Sequence, residues 1–484
     1  MRQNVMNRQR FRLVYLCFLA VYMAVREVTP LQFLIDSTIL SGIVFASGFS
    51  LVLWDLFTER ECLRGKEVWL LILFVLVCVV SSLVNIRFGV GGNLKAVGAL
   101  ILEYFLLFPA GIGVQTSKIR QELCVLSIVL CIVWSVLTFL SVHMYVFDIE
   151  YTVDGASQGF HTQYLRLWGV FQDPSYAAFI SLITMAACIY LMICYQKPLM
   201  YGIGGMYVLL QLGCVVLGGS RSAFVLMVAV AFLLGVYLFV LHGARWHINR
   251  FRGVLLALGG TALSLLLIVS MQYMLPLYRR AVRMVFPQTS GVYAVYDALY
   301  GMTDAKRVQT IPSDAEQPLD FIHRTDTEKE DVSNGRFIRW RDTLTIFLKA
   351  PLLGTSPRNV SAVAKVVAPD TLMAKYGIAP HNGYLDVLVG VGVIGFMVLM
   401  AFLVMALVTL CKVLRKPPTP ERVFVAVSVF LLAGSAVFLS DIFFFFTAGA
   451  VLFWLMLGYA LHTDMPQTEP ILFRKLEKQK GRNV

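Results

Sequence analysis

Long apolar runs, separated by short polar segments, cover most of the chain. A helix that crosses a bilayer needs roughly 20 mainly apolar residues, and most of these runs approach that length. The runs lie at positions 13–25, 38–57, 67–86, 96–113, 122–142, 174–194, 200–217, 222–241, 253–275, 383–410, 423–440 and 442–461. The pattern therefore predicts an all-α, polytopic membrane protein with about twelve transmembrane helices.

Lysine and arginine are concentrated in every second connection and in both terminal segments. These basic segments are the residues before 13, then 60–66, 118–120, 245–252, 412–422 and the residues after 473. Cytoplasmic loops of membrane proteins carry an excess of these residues, so the pattern places both termini and these connections in the cytoplasm.

This orientation divides the chain into six segments. They are five N-terminal helices in 1–142, an outer loop at 143–173, central helices with a turn at Arg221 in 174–275, a large outer loop at 276–382, C-terminal helices in 383–461 and a basic cytoplasmic tail at 462–484. The chain thus combines membrane helices with one large extracytoplasmic loop, and a loop of that length usually has a function.

Within the large loop, the spacing of apolar residues predicts an amphipathic helix over 335–350, ended by Pro351 and a turn at Gly354. The stretch 304–331 is polar and rich in charges, which predicts a mobile or disordered flap. The last two apolar runs are separated only by a turn at Ser440 and Asp441.

Composition supports the membrane assignment. Hydrophobic residues make up 58% of the chain and charged residues 14%, against about 45–50% and 25% in soluble domains. The cytoplasmic loops account for most of the net charge of +12, and no basic patch interleaved with aromatics suggests nucleic-acid binding. The nine cysteines include no CxxC pair, so neither a zinc site nor a disulfide framework is expected.

Arg221 lies between two apolar runs, at their predicted outer end. An arginine at membrane depth is costly unless it is paired or faces water. It could bind a phosphate of a lipid-linked substrate through its bidentate guanidinium, or it could reach lipid headgroups. The residues alone leave both interpretations open.

The predicted loop helix carries Arg336 and, one turn later, Trp340. Both side chains can face a substrate, but an ordinary amphipathic helix on the membrane surface would look the same. Arg339 lies beside them and is a further candidate. Arg279 and Arg280 begin the large loop and could hold anionic headgroups or an anionic glycan.

His381 stands where the large loop meets a long apolar run, with Asn382 and Tyr384 beside it. Histidine titrates near neutral pH and can accept a proton from a hydroxyl group. The alternative is a histidine that only caps the helix at the interface. Asp173, before Pro174, is predicted to be the N-cap of the helix that follows it.

Several motifs are missing from the chain. There is no DxD pair for a metal-bound nucleotide sugar, no Walker A sequence and no HExxH. Arginines and a histidine without metal ligands are suited to a donor already activated as a pyrophosphate, whose developing charge the arginines would stabilise. No cofactor and no metal are therefore expected.

Three motifs together resemble the O-antigen ligase and Wzy-type O-antigen polymerase superfamily of bacterial membrane glycosyltransferases. The first is His381-Asn382, nine residues, Gly392, two residues and Gly395. The second is Arg336, four residues before Trp340, with an apolar helix that ends in the sequence PLLG at 351–354. The third is the sequence RSA at 221–223, and the segment 169–179 is also similar.

The resemblance implies a GT-C-like fold in a cytoplasmic membrane, with an extracytoplasmic active site. It implies an inverting, metal-independent transfer of a glycan from undecaprenyl pyrophosphate to a sugar hydroxyl on a saccharide or lipid-linked acceptor. By the matching motifs, Arg221 and Arg336 would bind the pyrophosphate and His381 would activate the acceptor. Further candidates for a supporting role, from their places in the sequence, are Asn382, Tyr384, Trp340, Arg339, Arg279 and Arg280. A flippase and a chain-length regulator are candidate partners.

Two other classes of function stay open. A flippase for lipid-linked oligosaccharides, or another secondary transporter, would also have about twelve spans. The apolar runs carry few charges, however, and a transporter would need them for coupling. A nonenzymatic scaffold for polysaccharide export is the third class. The choice between ligase and polymerase, which differ only in acceptor, is also left open.

Overall fold

The computed structural model describes residues 2–35, 38–58, 60–112, 114, 116–153, 156–161, 165–286, 290–301, 306–308, 333, 335–440 and 442–462. Seventeen α-helices lie in this part of the chain. They are α1 (Arg2–Arg26), α2 (Thr29–Ile35), α3 (Thr38–Thr58), α4 (Glu67–Val84), α5 (Gly91–Leu102), α6 (Thr116–Val146), α7 (Pro174–Tyr195), α8 (Pro198–Leu217), α9 (Arg221–Gly235), α10 (Arg250–Val285), α11 (Ser290–Tyr300), α12 (Arg336–Phe347), α13 (Val360–Val367), α14 (Leu372–Tyr376), α15 (Gly383–Leu414), α16 (Pro420–Ser435) and α17 (Ala448–His462).

Two of these helices continue in a wider form. A π-helical segment, Glu103–Leu107, follows α5, and a second one, Val236–Leu241, follows α9. Short 3-10 turns complete the helical structure at Glu61–Leu63, Ile86–Phe88, Phe108–Gly111 and Gly243–Trp246.

Among the described residues, nine helical segments are long and apolar enough to cross a membrane. They are Ile39–Thr58, Glu67–Val84, Gly91–Gly111, Lys118–Val146, Pro174–Tyr195, Pro198–Leu217, Arg221–Leu241, Arg250–Val285 and Gly383–Leu414. The protein is therefore an all-α, polytopic membrane protein, as the sequence predicts. The three other predicted runs fall in α1, which carries several arginines, and in α16 and α17, which have only 16 and 15 residues.

The predicted boundary between the last two membrane helices, a turn at Ser440 and Asp441, is wrong. Instead of a single turn, the non-helical residues 436–440 and 442–447 lie between α16 and α17, and Asp441 lies outside the described residues. The apolar pattern continues there because the aromatic side chains of this segment are buried, Phe443 at 1% exposure and Phe444 at 2%. A buried run that is not helical has the same composition as a buried helix.

A small antiparallel sheet joins the two outer loops and was not predicted. Its strands are β1 (Glu150–Val153), β2 (Ala156–His161), β3 (Arg166–Gly169) and β4 (Lys306–Arg307), in the order β3-β2-β1-β4. The predicted flap at 304–331 lies, apart from residues 306–308, outside the described residues.

α7 begins at a capped N-terminus and packs against α6, α8 and α16. The Asp173 side chain accepts hydrogen bonds from the backbone N–H groups of Ser175 (2.6 Å) and Tyr176 (3.1 Å), which confirms the predicted cap. Pro174 occupies the first helical position, where its missing N–H costs nothing.

The interior of the bundle is aromatic around the fully buried Trp454 of α17. The ring centroids of Tyr104, Phe402 and Phe108 lie 4.6, 5.6 and 6.2 Å from that of Trp454. These contacts join α17 to α15 and to the π-helical and 3-10 segments that follow α5. The helices thus form a rigid frame for the loops at their ends.

Candidate active site

The predicted loop helix exists as α12, and it is fastened to the loop that carries His381. The indole Nε1 of Trp340 donates a hydrogen bond to the carbonyl oxygen of Pro380 at 3.1 Å. Arg336, one turn earlier on the same helix, places its Cζ atom 5.4 Å from the ring centroid of Phe438. Both named residues of the second motif therefore face α15 and the segment 436–447, rather than only a membrane surface.

The second half of that motif, Pro351 to Gly354, packs against a break in α15. The break lies at Gly392, whose φ of 65° and ψ of −173° are outside the helical range. The backbone N–H groups of Val393 and Ile394 donate to the carbonyls of Pro351 (2.8 Å) and Leu352 (3.3 Å) instead. The loop thus replaces helical hydrogen bonds that the break removes.

Gly354 completes this junction. It has a φ of 67°, and a Cβ atom placed on it would lie 2.6 Å from the Gly390 carbonyl. Its neighbour Thr355 donates its N–H to Val389 at 2.9 Å, and Ser81 of α4 donates its hydroxyl to Leu353 at 2.5 Å. The glycines of the first and second motifs are therefore in direct contact, because only glycine lets the two backbones come this close.

His381 itself has a left-handed backbone, with a φ of 50°, and a half-buried side chain. A non-glycine residue with positive φ is uncommon and marks a position fixed by its surroundings. Burial lowers the pKa of His381, and the positive charge of Arg339 lowers it further. Asp173 opposes this effect, while Arg336 adds to it.

These interactions identify the surroundings of the imidazole. Arg336 and Arg339 of α12 and Asp173 at the start of α7 lie within electrostatic range of it. The lowered pKa keeps the ring neutral near pH 7, which is the form that can accept a proton. A neutral base near two guanidinium groups is suited to an acceptor hydroxyl next to an anionic donor.

The two residues after the histidine hold the start of α15. The Asn382 side chain accepts hydrogen bonds from the N–H groups of Tyr384 (3.0 Å) and Leu385 (3.1 Å) and so caps the helix. The Tyr384 hydroxyl donates to the carbonyl of Ala433 at 3.1 Å. Both side chains are therefore engaged in positioning α15, whatever else they contact.

Arg221 occupies the first position of α9, after the N-cap Ser220. The preceding turn touches the start of α7, since a Cβ atom on Gly218 would lie 3.3 Å from the carbonyl of Pro174. Arg221 therefore lies at the same end of the bundle as Asp173, which itself lies in electrostatic range of His381. The motif that contains Arg221 thus lies at the same end of the bundle as the motifs that contain Arg336 and His381.

Arg279 and Arg280 are placed differently. Arg279 forms a buried ion pair with Asp148, and its Cζ atom lies 5.1 Å from the ring centroid of Tyr145. Arg283 reaches the second oxygen of Asp148 at 2.6 Å, while Arg280 is exposed. Arg279 thus joins α10 to the end of α6, and its support of the site stays a prediction.

Two residues at this end were missed in the sequence. Arg166 of β3 donates its Nε–H to the carbonyl of Gly218 at 3.0 Å, just before Arg221. Phe438 packs under the guanidinium of Arg336. No local sequence signal marks either one, because Arg166 lies in an unpredicted strand and Phe438 in an apolar run that predicted a helix.

No group of three or more His, Cys, Asp or Glu side chains suited to a metal ion lies in the described part of the chain. The prediction of a metal-independent reaction stays a prediction.

Fold and site define the class of protein: a helical, polytopic membrane protein with a histidine and several arginines gathered at one end of its bundle. The family model described as O-antigen ligase matches residues 206–400. The match covers less than half of the chain and confirms the resemblance to the O-antigen ligase and Wzy-type superfamily drawn from the motifs. A search of the curated proteins found no match.

The matched residues include Arg221, all of α12, His381 and the break in α15. They exclude Asp173, so the similarity noted at 169–179 stays a prediction. The chain is thus a polytopic membrane protein that is similar, over these residues, to the O-antigen ligase family.

Proposed function

We propose that this protein is a glycosyltransferase of cell-surface polysaccharide assembly that uses a glycan linked to undecaprenyl pyrophosphate. The observation that carries the proposal is the half-buried His381, held within electrostatic range of Arg336, Arg339 and Asp173. A base near cationic groups is suited to a reaction in which a hydroxyl attacks and a pyrophosphate leaves.

In the proposed reaction, one ring nitrogen of His381 takes the proton of an acceptor hydroxyl. The acceptor oxygen forms a bond to the anomeric carbon of the donor glycan as the bond from that carbon to the pyrophosphate oxygen breaks. Undecaprenyl pyrophosphate leaves with the electron pair. Because the attack is a single displacement, the configuration at the anomeric carbon inverts.

Arg221 and Arg336 take the role of a metal ion by binding the pyrophosphate. Arginine offers a planar pair of donors that matches phosphate oxygens, and its charge does not depend on pH in this range. The alternation of basic segments supports a site on the outer face of the cytoplasmic membrane, with both termini in the cytoplasm. A flippase would supply the donor to this face, and a chain-length regulator is a second candidate partner.

The decisive experiment compares a deletion strain with strains complemented by the wild type or by His381→Ala. Glycans are extracted and separated on a gel. Single repeat units left on the carrier identify a polymerase, and full-length polymer left on the carrier identifies a ligase. His381→Ala should reproduce the deletion at wild-type protein levels, and EDTA should leave transfer in membranes intact. If no lipid-linked glycan accumulates outside, the protein is a transporter and the proposal fails.

A further inference from the structure

An apolar groove opens at the end of the bundle opposite to His381. Its walls are the second half of α9 with the π-helical segment after it, the end of α15 and the start of α16. The cavity volume is about 360 Å³, and the lining is almost wholly apolar, with Leu234, Tyr237, Leu414 and Phe430 among the lining residues. Only 11% of the span Arg221–Leu241 is buried, so α9 lies at the edge of the bundle and the groove faces the lipid.

The mouth of this groove is cationic. Arg415 lines it directly, and Arg422 and Arg245 lie within electrostatic range of Tyr237, another lining residue. The neighbouring carboxylate, Glu421, accepts a hydrogen bond from Arg120 at 2.5 Å and is thereby partly neutralised. Three arginines therefore outweigh the one acidic side chain of this group.

Two polar side chains, Tyr237 in the groove lining and Arg422 next to the lining residue Val423, are buried without a hydrogen-bonding partner among the described residues. Arg422 is 3% exposed, and its Nε and Nη1 atoms donate to no described group. Tyr237 is 8% exposed, and its hydroxyl is also without a described partner. Donors buried in this way need an acceptor, and a phosphate group supplies several oxygens together with the opposite charge.

The π-helical segment Val236–Leu241 forms part of the same site. Such segments are rare and occur frequently at functional sites. Here the wider turn contains Tyr237 and is followed by His242, whose ring stands edge-on to that of Tyr237 at 5.1 Å and whose Nε2 atom lies 3.0 Å from the carbonyl of Leu414. The contact joins the end of α15 to the segment that carries the buried hydroxyl.

We infer that this groove binds an anionic phospholipid, with one acyl chain between α9, α15 and α16 and its phosphate at Arg422, Arg245, Arg415 and Tyr237. The charge pattern of the sequence places this end at the cytoplasmic leaflet, where anionic headgroups are attracted to basic residues. The site is distant from His381 and does not depend on the proposed reaction.

The experiment measures lipid binding to the purified full chain in detergent by native mass spectrometry. Dioleoyl phosphatidylglycerol is compared with dioleoyl phosphatidylcholine, which has the same chains, and with inorganic phosphate as competitor. Phosphatidylglycerol should bind more tightly than phosphatidylcholine. Arg422→Gln should weaken its binding about fivefold, the loss expected for one basic residue at a membrane surface. Arg252→Gln, an exposed arginine in the first turn of α10, is the matched control and should bind as the wild type.

A second variant tests the chain-binding part of the groove without touching the arginines. Cys411 is exposed and lines the groove, so Cys411→Trp should fill it and weaken phosphatidylglycerol binding, even if Arg422→Gln fails to fold. Equal binding of the two lipids would overturn the inference. So would wild-type binding by Cys411→Trp or by a folded Arg422→Gln, or displacement of the lipid by phosphate alone.

Discussion

The indole of Trp340 is hydrogen-bonded to the carbonyl of Pro380, the residue immediately before His381. The two partners lie on different elements and come together only in the folded chain. Through this contact α12, which carries Arg336, determines where the loop holds the imidazole. Arg336 and His381, the proposed phosphate-binding and basic groups, are therefore both positioned by α12.

Trp340→Phe keeps an aromatic ring but removes the donor. An unsatisfied carbonyl costs about 1 to 3 kcal/mol, so we expect the loop to shift and transfer to slow by roughly tenfold. Initial rates in membranes, corrected for protein level, measure this effect. Phe337→Leu, which changes the exposed ring that packs on Trp340 at 5.6 Å, is the control and should transfer at close to the wild-type rate. Equal rates for Trp340→Phe and the wild type would contradict the positioning role.

The pH dependence of transfer should report the surroundings of His381. Its pKa lies below the usual 6.5, so the neutral base is retained to lower pH and the acid limb of kcat/KM should fall below that value. Arg339→Gln removes a charge that lowers the pKa, and the limb should move to higher pH. Asp173→Asn removes a charge that raises it, and the limb should move to lower pH.

These two substitutions control for each other, because a general loss of structure would not shift the limb in opposite directions. Asparagine is as good an N-cap as aspartate, so Asp173→Asn should leave the start of α7 intact. A limb that stays in place in both variants would show that His381 is not the titrating base.

Arg336→Lys tests whether the geometry of the guanidinium matters as well as its charge. Lysine is a point charge and cannot form the paired contact to phosphate oxygens, so transfer should fall by at least about tenfold. The matched control is Arg341→Lys on the same helix, since the Arg341 side chain is 76% exposed. Both variants are assayed in the same membranes. Equal activity of Arg336→Lys and the wild type would remove Arg336 from the proposed pyrophosphate site.

The sequence predicts the helices well because their apolar runs are long and their ends carry ordinary signals. Asp173 and Pro174 begin α7 as expected, and the helix proposed at 335–350 exists as Arg336–Phe347. It also predicts which end of the bundle carries the three motifs, because loop charge and helix order are both local properties of the sequence.

The contacts that build the site could not be predicted from the sequence. Gly354 contacts Gly390 and Gly392, which lie in a distant part of the sequence. No local sequence pattern indicates that these backbones come together. The segment after α16 has the apolar composition of a buried helix because its aromatic side chains are buried, although its described residues are not helical. The sheet was missed because its strands are short, and one of them, Lys306–Arg307, lies in a polar stretch without alternation.

Arg279 forms an ion pair with Asp148, which indicates a role in stability. We expect Arg279→Gln to lower the free energy of unfolding by about 2 kcal/mol, since the buried Asp148 loses one charged hydrogen-bond partner but keeps Arg283. Thermal denaturation of the purified protein measures the change. In a double-mutant cycle, Asp148→Asn and Arg279→Gln should be far from additive, because they remove the same ion pair. Additive effects would show that the pair contributes nothing, and Arg280→Gln, at an exposed site, should have little effect.

Gly392→Ala tests the break in α15 directly. Its backbone conformation is one that only glycine adopts readily, and a Cβ atom would lie 2.2 Å from the carbonyl of Leu352. Strain of roughly 1 to 3 kcal/mol, together with this clash, should displace the loop at 351–354 and lower both the thermal stability and the rate of transfer. The matched control is Gly259→Ala, because Gly259 also lies in an apolar helix but a Cβ atom placed on it would have no neighbouring atom within 4 Å. Alanine favours the helix there, so that variant should be as stable as the wild type or more so. Equal behaviour of the two variants would mean that α15 can straighten without cost and that the contact between the two motifs does not hold the site together.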